Sequence, residues 1–491
     1  MCKDMNKNAR KTYVNPLSIP NIPRGKDEWY SCEHGMFSHE NKPEFVKTPD
    51  YRSISDPTVF YYDDKWYLYP SYGMAWVSED FVNWKHFRTE PYCPKYSPCI
   101  IPWKGRFLMT AWNSPLYVAD NPLGPFEELG DFITKEGENY CPCDPALFLD
   151  DDGRIYLYAF HMENGKTMII GYELDRDEPR KIISDRKVVL VLDVEKNVWE
   201  RRGYHKQDDT FGWVEGPHLL KYDGRYYMIY ASSDTRDSSY CMAVYYSDTS
   251  PLDDFICQKR NPLTYNTCGL ISGAGHGCVE RGPNGTLWAF YTIPTPYTHC
   301  YERRIGMDIV AIDENKELYC PHGVTDTPQY GPGYIENCVE DNSCGWLNLT
   351  GECRPNVSSV KEGRDAIYAV DESKITWWQP EDNDKEPTMV CDLEAEYEVF
   401  SSRIFWKEIG LDYGRGIIPG AVKYVIEGCC GGKWFILFDA NSNESEMNID
   451  YREFDGSFVC DKVRLKIVEK PKGLQIGVID FTVFGKRYKG E

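Results

Sequence analysis

Along most of the chain, apolar and aromatic residues come in short runs with a two-residue alternation, broken by Asp, Asn and Gly pairs. Such runs predict β-strands joined by tight hairpins. Long stripes of helical period are scarce. A strand–turn–strand unit recurs five times. The first copy runs Asp56-Pro57-Thr58-Val59-Phe60, turns at Asp63-Asp64, and returns through Lys65-Trp66-Tyr67-Leu68-Tyr69. The second opens at Ser97-Pro98-Cys99 and turns near Lys104-Gly105, and the third opens at Asp144-Pro145-Ala146 and turns at Asp152-Gly153. The fourth opens at Glu215-Gly216-Pro217-His218 and turns at Asp223-Gly224, and the fifth runs from His276-Gly277 to Asn284-Gly285. Asp-Gly and Asn-Gly suit a turn whose two central residues both take positive φ. A third strand follows each copy, as in Ala75-Trp76-Val77-Ser78 and Met242-Ala243-Val244-Tyr245.

The copies start at residues 56, 97, 144, 215 and 276, at intervals of 41, 47, 71 and 61 residues. A four-stranded propeller blade takes about 40–50 residues, so the longer intervals carry insertions, expected around 185–212 and 250–272. The expected fold class is all-β: a five-bladed β-propeller over 45–335, preceded by an N-terminal extension of 1–44. A second domain over 336–491 follows, since the repeat stops after Pro328-Gln329-Tyr330-Gly331-Pro332-Gly333.

Charge narrows the partners. Lys and Arg total 55 against 77 Asp and Glu, a net charge of −22. Such a surface repels phosphate backbones and anionic lipid, so no nucleic-acid or membrane partner is expected. Aromatics reach 14% of the chain, with 36 Tyr, 21 Phe and 14 Trp. They serve as strand formers, and their flat faces also suit sugar rings. The polar Met1-Cys2-Lys3-Asp4 start lacks the apolar core of an export signal, and the 19 cysteines follow no framework spacing. Free thiols and a cytoplasmic location are therefore expected. Cys141, Cys143, Cys429 and Cys430 have no second pair at zinc-site spacing.

The chemistry comes from the positions that open the repeats. Innermost strands of a propeller line its channel, so Asp56, Ser97, Asp144, Glu215 and His276 should converge at equivalent positions. Three carboxylates in apolar surroundings are expensive unless paired or functional. Facing carboxylates are the equipment of glycoside hydrolysis, in which one activates water and another protonates the departing oxygen. The other readings are a non-catalytic carbohydrate-binding propeller and a protein-binding scaffold; the latter has no need of carboxylates there.

Asp-Pro-Thr-Val at 56–59, Asp-Pro-Ala-Leu at 144–147 and Glu-Gly-Pro-His at 215–218 resemble the three signatures of family 43 glycoside hydrolases. Gly273-Ala274-Gly275-His276-Gly277 and Tyr301-Glu302-Arg303-Arg304-Ile305-Gly306 extend the resemblance. It implies Asp56 as general base, Glu215 as general acid, and Asp144 as the residue that tunes and orients the acid. It places His276 near the axis, as a substrate contact or an indirect holder of a structural calcium ion; no cofactor is otherwise required. The substrate-contacting arginine would be Arg303 or Arg304. Alternation sends the two to opposite faces, with Arg303 preferred. Trp112, Asn113 and Phe160 are further candidate sugar contacts, and the insertion Trp199-Glu200-Arg201-Arg202-Gly203-Tyr204-His205 could fold over the channel mouth. The implied activity is inverting, exo-acting removal of terminal sugars from plant-derived oligosaccharides or polysaccharide side chains. α-L-Arabinofuranosides or β-D-xylosides are expected first, with β-galactosides as the alternative. In the C-terminal region Val357-Ser358-Ser359-Val360, Thr376-Trp377-Trp378-Gln379-Pro380 and the closing Phe481-Thr482-Val483-Phe484-Gly485 resemble a discoidin-like β-sandwich (jelly roll), the C-type domain of coagulation factors, in which Trp377 and Trp378 could offer a sugar platform.

Overall fold

The computed structural model describes residues 10–20, 53–71, 74–89, 96–295, 302–334, 341–351, 353–411, 417 and 419–489. Tyr301, the first nine residues and most of the expected N-terminal extension lie outside this set.

Five antiparallel four-stranded sheets follow one another along the chain, each built from consecutive strands. Their innermost strands are Thr58–Tyr62, Cys99–Trp103, Cys143–Leu149, Glu215–Tyr222 and Gly275–Arg281. These five sheets are the blades of a propeller, and a β-sandwich follows. The turns split into two kinds. At Asp63-Asp64, Lys104-Gly105 and Asp223-Gly224 both central residues have positive φ, as the twist of a two-residue hairpin demands. At Asp152-Gly153 and Asn284-Gly285 only the glycine does. There the loop is longer, and Gly153 N–H bonds back to the Asp150 carbonyl, so a single left-handed residue closes the turn.

The core lies between blades rather than within one. Separate apolar clusters fill the interfaces of blades 1 and 2, 2 and 3, 3 and 4, and 4 and 5. Among the described residues, no strand is exchanged where the fifth interface closes the ring. Trp66, Trp76 and Phe81 of blade 1 meet Trp288, Phe290 and Met307 of blade 5, and Tyr13 and Leu17 plug the seam. Residues 10–20 thus act as a strap. Thr12–Tyr13 pairs with Gln329–Tyr330, and the Thr12 hydroxyl donates to Glu453 of the C-terminal domain.

The C-terminal domain is one strongly bent sheet whose strands Thr388–Ile409 and Ile449–Glu469 run 22 and 21 residues, folding over at bulges to enclose a sandwich core. Trp378 sits fully buried in that core, and its indole donates to the Ser359 carbonyl. Trp377 has the Arg364 guanidinium 3.4 Å from its ring centre. The pair therefore offers no open platform for a sugar, because packing and a cation occupy the faces. The domain is joined to the propeller by an apolar patch of Leu270 with Phe405, Ile449 and Ile479. Arg403 adds a buried ion pair to Asp480 and donates to the carbonyls of Asn15 and Asp326.

Candidate active site

At the start of each inner strand one residue takes left-handed backbone geometry: Asp56 (φ 52°), Ser97 (47°), Asp144 (44°), Gly216 (54°) and His276 (45°). Outside glycine such a conformation costs roughly 1–2 kcal/mol, so four non-glycine cases in one ring mark a site held in place by its surroundings. The fourth member is Gly216, not Glu215. The sequence comparison of repeat starts was thus one residue out in blade 4, where the proline that follows the axial residue in blades 1 to 4 is Pro217. Glu215 belongs instead to a second ring with Ser55, Tyr96, Cys143 and Gly275. In three of its members the register agrees: Cys143 pairs with Phe160, Glu215 with Ala231 and Gly275 with Thr292.

The glycines in these rings make room. A Cβ on Gly216 would lie 2.6 Å from the His276 ring, and one on Gly275 would lie 2.3 Å from the Tyr240 ring. His276 and Tyr240 can therefore lean inward, toward Asp56 and Glu215 respectively.

Asp56 is buried and richly bonded. Oδ2 accepts from the hydroxyls of Ser71 (2.6 Å) and Ser55 (3.0 Å), while Oδ1 accepts from Arg303 Nη1 at 3.1 Å. His276 Nδ1 stands 3.5 Å from Oδ1. Burial works against the charge, but Arg303, His276 and the two serines outweigh it, so the carboxyl is held below its ordinary range. Asp144 accepts from Ser97 Oγ at 2.9 Å, and Ser97 Oγ is in turn 3.4 Å from His276 Nε2. Burial, and after it the Asp56 charge, raise Asp144, against the pull of His276.

Glu215 meets different neighbours. Trp213 Nε1 donates to Oε2 at 2.8 Å and the Tyr240 hydroxyl to Oε1 at 2.5 Å. Burial first, then the Asp144 charge, push it up to about 7. Trp213 stacks on Phe160 with ring centres 5.0 Å apart, and Phe211 follows at 6.5 Å. All of this surrounds a cleft of about 310 Å³ lined by the three carboxylates, His276, Arg303, Tyr96, Trp112, Phe160 and Trp213.

The remaining candidates separate. Arg304 turns away from the cleft and bonds Glu302 and Asn448, as strand alternation requires of a neighbour of Arg303. Asn113 is exposed at a left-handed turn and does not line the cleft. The insertion does not arch over the mouth at Trp199-Glu200. The Trp199 indole and Glu200 both bond Tyr230, and Glu200 is fully buried. Its later part, the hairpin of Arg201–Arg202 with Asp208–Gly212, carries Phe211 instead. Sequence reasoning missed Trp213 and Tyr240. Trp213 lies two residues before Glu215, in the short link between the strands Asp208–Gly212 and Glu215–Tyr222, so its nearness in sequence was a signal; Tyr240 gave none.

The channel below the ring leaves about 10 Å³, space for roughly one water, between residues such as Thr58, Cys99, Ala146 and His218. Calcium takes six to eight oxygens. Asp56 and Asp144 are already engaged, and among the described residues no group of three His, Cys, Asp or Glu could hold a metal. The residues do not fit a directly coordinated calcium, and neither His276 nor the Cys141, Cys143, Cys429 and Cys430 thiols gather one. The described cysteines form no disulfides with one another.

Residues 50–316, which hold all three carboxylates, match the family model described as Glycosyl hydrolases family 43. The chain belongs to this family. A xylosidase/arabinosidase of Butyrivibrio fibrisolvens is 30% identical, over 39% of this chain and 36% of that protein. The chain thus spans little more than a third of that relative's length. A beta-xylosidase of Xylanibacter ruminicola is 25% identical, over 40% of this chain and 76% of its own. Among solved structures, one named "Glycoside hydrolase" aligns with a TM-score of 0.47 at 19% identity, covering 89% of this chain and 98% of that one. Within family 43 chemistry, a carboxylate kept ionised and one kept protonated across a single cleft are equipped to act as base and acid.

Proposed function

We propose that this chain is an inverting, exo-acting glycosidase that releases terminal α-L-arabinofuranosyl or β-D-xylosyl groups from plant-derived oligosaccharides. The observation that carries the reading is the opposite tuning of two carboxylates on one cleft: Asp56 depressed beside Arg303, Glu215 raised to about 7 among aromatic rings. Asp56 takes a proton from water as the water oxygen bonds the anomeric carbon. Glu215 gives its proton to the departing oxygen as the old bond breaks. Both carboxyls then exchange protons with solvent and the site resets. No cofactor enters these steps.

The sugar on the leaving side must lie beside the acid, and there Trp213, Phe160 and Phe211 form a continuous aromatic wall. The pentoside preference is supported by the relatives named xylosidase/arabinosidase and beta-xylosidase. A β-galactoside is the second reading: it differs from a β-xyloside in the configuration at C4 and in a hydroxymethyl group, which is worth only about 1–3 kcal/mol of discrimination. A reducing compartment suits the free thiols. The test is a panel of chromogenic pentosides and galactosides, followed by proton NMR of the first product formed. Inverted anomeric configuration and release of single sugars are expected. Initial retention would remove Asp56 from the role of base, and silence on every glycoside would leave a binding propeller.

A further inference from the structure

Arg304 is buried, and its guanidinium is fully engaged on the far side of the strand from the cleft. Nε and Nη2 donate to Asn448 Oδ1 at 3.1 and 2.7 Å, and Nη2 also reaches Glu302 at 3.2 Å. Nη1 donates to the backbone carbonyl of Arg303 at 2.8 Å. That same carbonyl accepts the N–H of Ile54 at 3.0 Å, two residues before Asp56. Arg303 completes the loop through its side chain, with Nη1 on Asp56 and Nε 3.4 Å from the Ser53 hydroxyl.

Asn448 belongs to the C-terminal domain and is itself held from both ends. Its Nδ2 donates to the Trp406 carbonyl at 2.9 Å, and the Trp406 N–H donates to the Asn448 carbonyl at 2.9 Å. Trp406 lies in the core of the sandwich. Hydrogen bonds therefore lead from that core through Asn448 and Arg304 to the Arg303 carbonyl, and the covalent body of Arg303 carries the run on to its guanidinium and Asp56.

We propose that Asn448 is a positioning residue for the reaction, through which the C-terminal domain holds Arg303 against Asp56. The proposal rests on the reading of Asp56 as base. An arginine side chain has many rotamers to lose. One carboxamide oxygen accepting from two of its N–H groups fixes the guanidinium plane, and that plane aims Nη1 at the Arg303 carbonyl. Without Asn448, Arg304 Nε and Nη2 lose their shared acceptor, and the Nη1 that donates to the Arg303 carbonyl loses that orientation. The charged and titratable groups that face Asp56 are Arg303 and His276 from blade 5, Asp144 from blade 3 and Tyr240 from blade 4. Only Arg303 is tied to the second domain by this run.

The test uses the full chain with Asn448→Leu, which removes the acceptor at similar volume, and Asn448→Asp, which keeps it. The pH profile of kcat/KM is read on a glycoside that the wild type cleaves. For Asn448→Leu, kcat/KM should fall roughly tenfold, chiefly through kcat, as expected of a small misplacement of a catalytic group. Its acidic limb should move to higher pH, because a base with a looser Arg303 picks up its proton sooner. The alkaline limb should stay. Asn448→Asp should restore the acidic limb. A folded Asn448→Leu enzyme with a wild-type acidic limb, movement of both limbs together, or an Asp variant no better than the Leu variant overturns the proposal. If Asn448→Leu does not fold, Arg304→Lys takes its place, since an ammonium cannot span Asn448 and the Arg303 carbonyl at once; a wild-type limb there overturns it equally. Failure of the wild type to cleave any glycoside sinks the glycosidase reading and this proposal together, whereas the other adverse outcomes sink this proposal alone.

Discussion

Replacing Asp144 by Asn removes one negative charge from beside Glu215 while keeping an oxygen that can accept from Ser97. Glu215 rises from an ordinary value of 4.5 to about 7, with burial the larger cause and the Asp144 charge the second. Burial survives the substitution. The charge should therefore account for roughly one pH unit of the rise, or about 1.4 kcal/mol of differential interaction. The two carboxyls titrate together, and Asp144, bonded to Ser97 and near His276, loses its proton first. Glu215 is thus protonated against a charged neighbour, and neutralising that neighbour lets its proton leave earlier. The alkaline limb of kcat/KM, which reports loss of the acid's proton in the free enzyme, should move down by about one pH unit. The acidic limb, set by Asp56, should move the same way or stay, because Asp56 also loses a like charge facing it. The measurement is a pH series on an unactivated disaccharide, where protonation of the leaving group matters most. An alkaline limb unmoved in Asp144→Asn would refute the electrostatic account and leave Asp144 a purely structural member of the ring.

Glu215→Ala should lose about 10²–10⁴-fold on natural linkages and far less on aryl glycosides with acidic leaving groups, whereas Asp56→Ala should be inactive on both. Equal losses on both substrates in both variants would erase the distinction between acid and base. Gly216→Ala places a Cβ against the His276 ring at a left-handed φ of 54° and should destabilise the fold by about 1–3 kcal/mol, seen as a lower Tm. An unchanged Tm would show that His276 is free to move aside. Phe211→Ala should weaken binding of oligosaccharides by about 1 kcal/mol, a roughly fivefold higher KM, and leave methyl glycosides unaffected. Equal effects on both would remove the aromatic wall from the leaving-group side.

The propeller was legible because its strands repeat a local code. Alternation, a hairpin turn and an axial residue before proline are visible without knowing what packs where, and Asp56, Ser97 and Asp144 obey all three. Blade 4 keeps the proline at 217 but puts glycine before it, so comparing repeat starts by their acidic residue shifted Glu215 by one position. The error came from matching charge where the backbone geometry is what repeats. Trp213 could have been found by its nearness to Glu215 in sequence. Tyr240 could not, because it reaches the acid from the strand end before Cys241–Ser247 across space that only the fold closes. In the C-terminal domain the adjacent tryptophans gave no sign of which would be buried. Trp378 went to the core and Trp377 under Arg364, an outcome decided by partners far away in sequence.

The one-residue offset in blade 4 does more than complicate alignment, since it separates the environments of the two reacting carboxyls. A side chain at the axial position points into a ring of polar partners: Asp56 there finds Arg303, two serines and His276. One residue earlier, the side chain enters the cleft wall, where Glu215 is bonded by an indole and a phenol, and burial and Asp144 outweigh the pull of His276. A glutamate moved to the axial position would carry its Cβ into the His276 ring, and its carboxyl would share the polar ring with Asp56 and Asp144. Three acids in that ring would compete for one arginine and one histidine, with no aromatic setting to keep a particular one protonated. A propeller with strictly equivalent carboxylates would therefore have bases without an acid. Blade 4 breaks the equivalence at the cost of a glycine, and the rise of Glu215 to about 7 follows from where that glycine puts it.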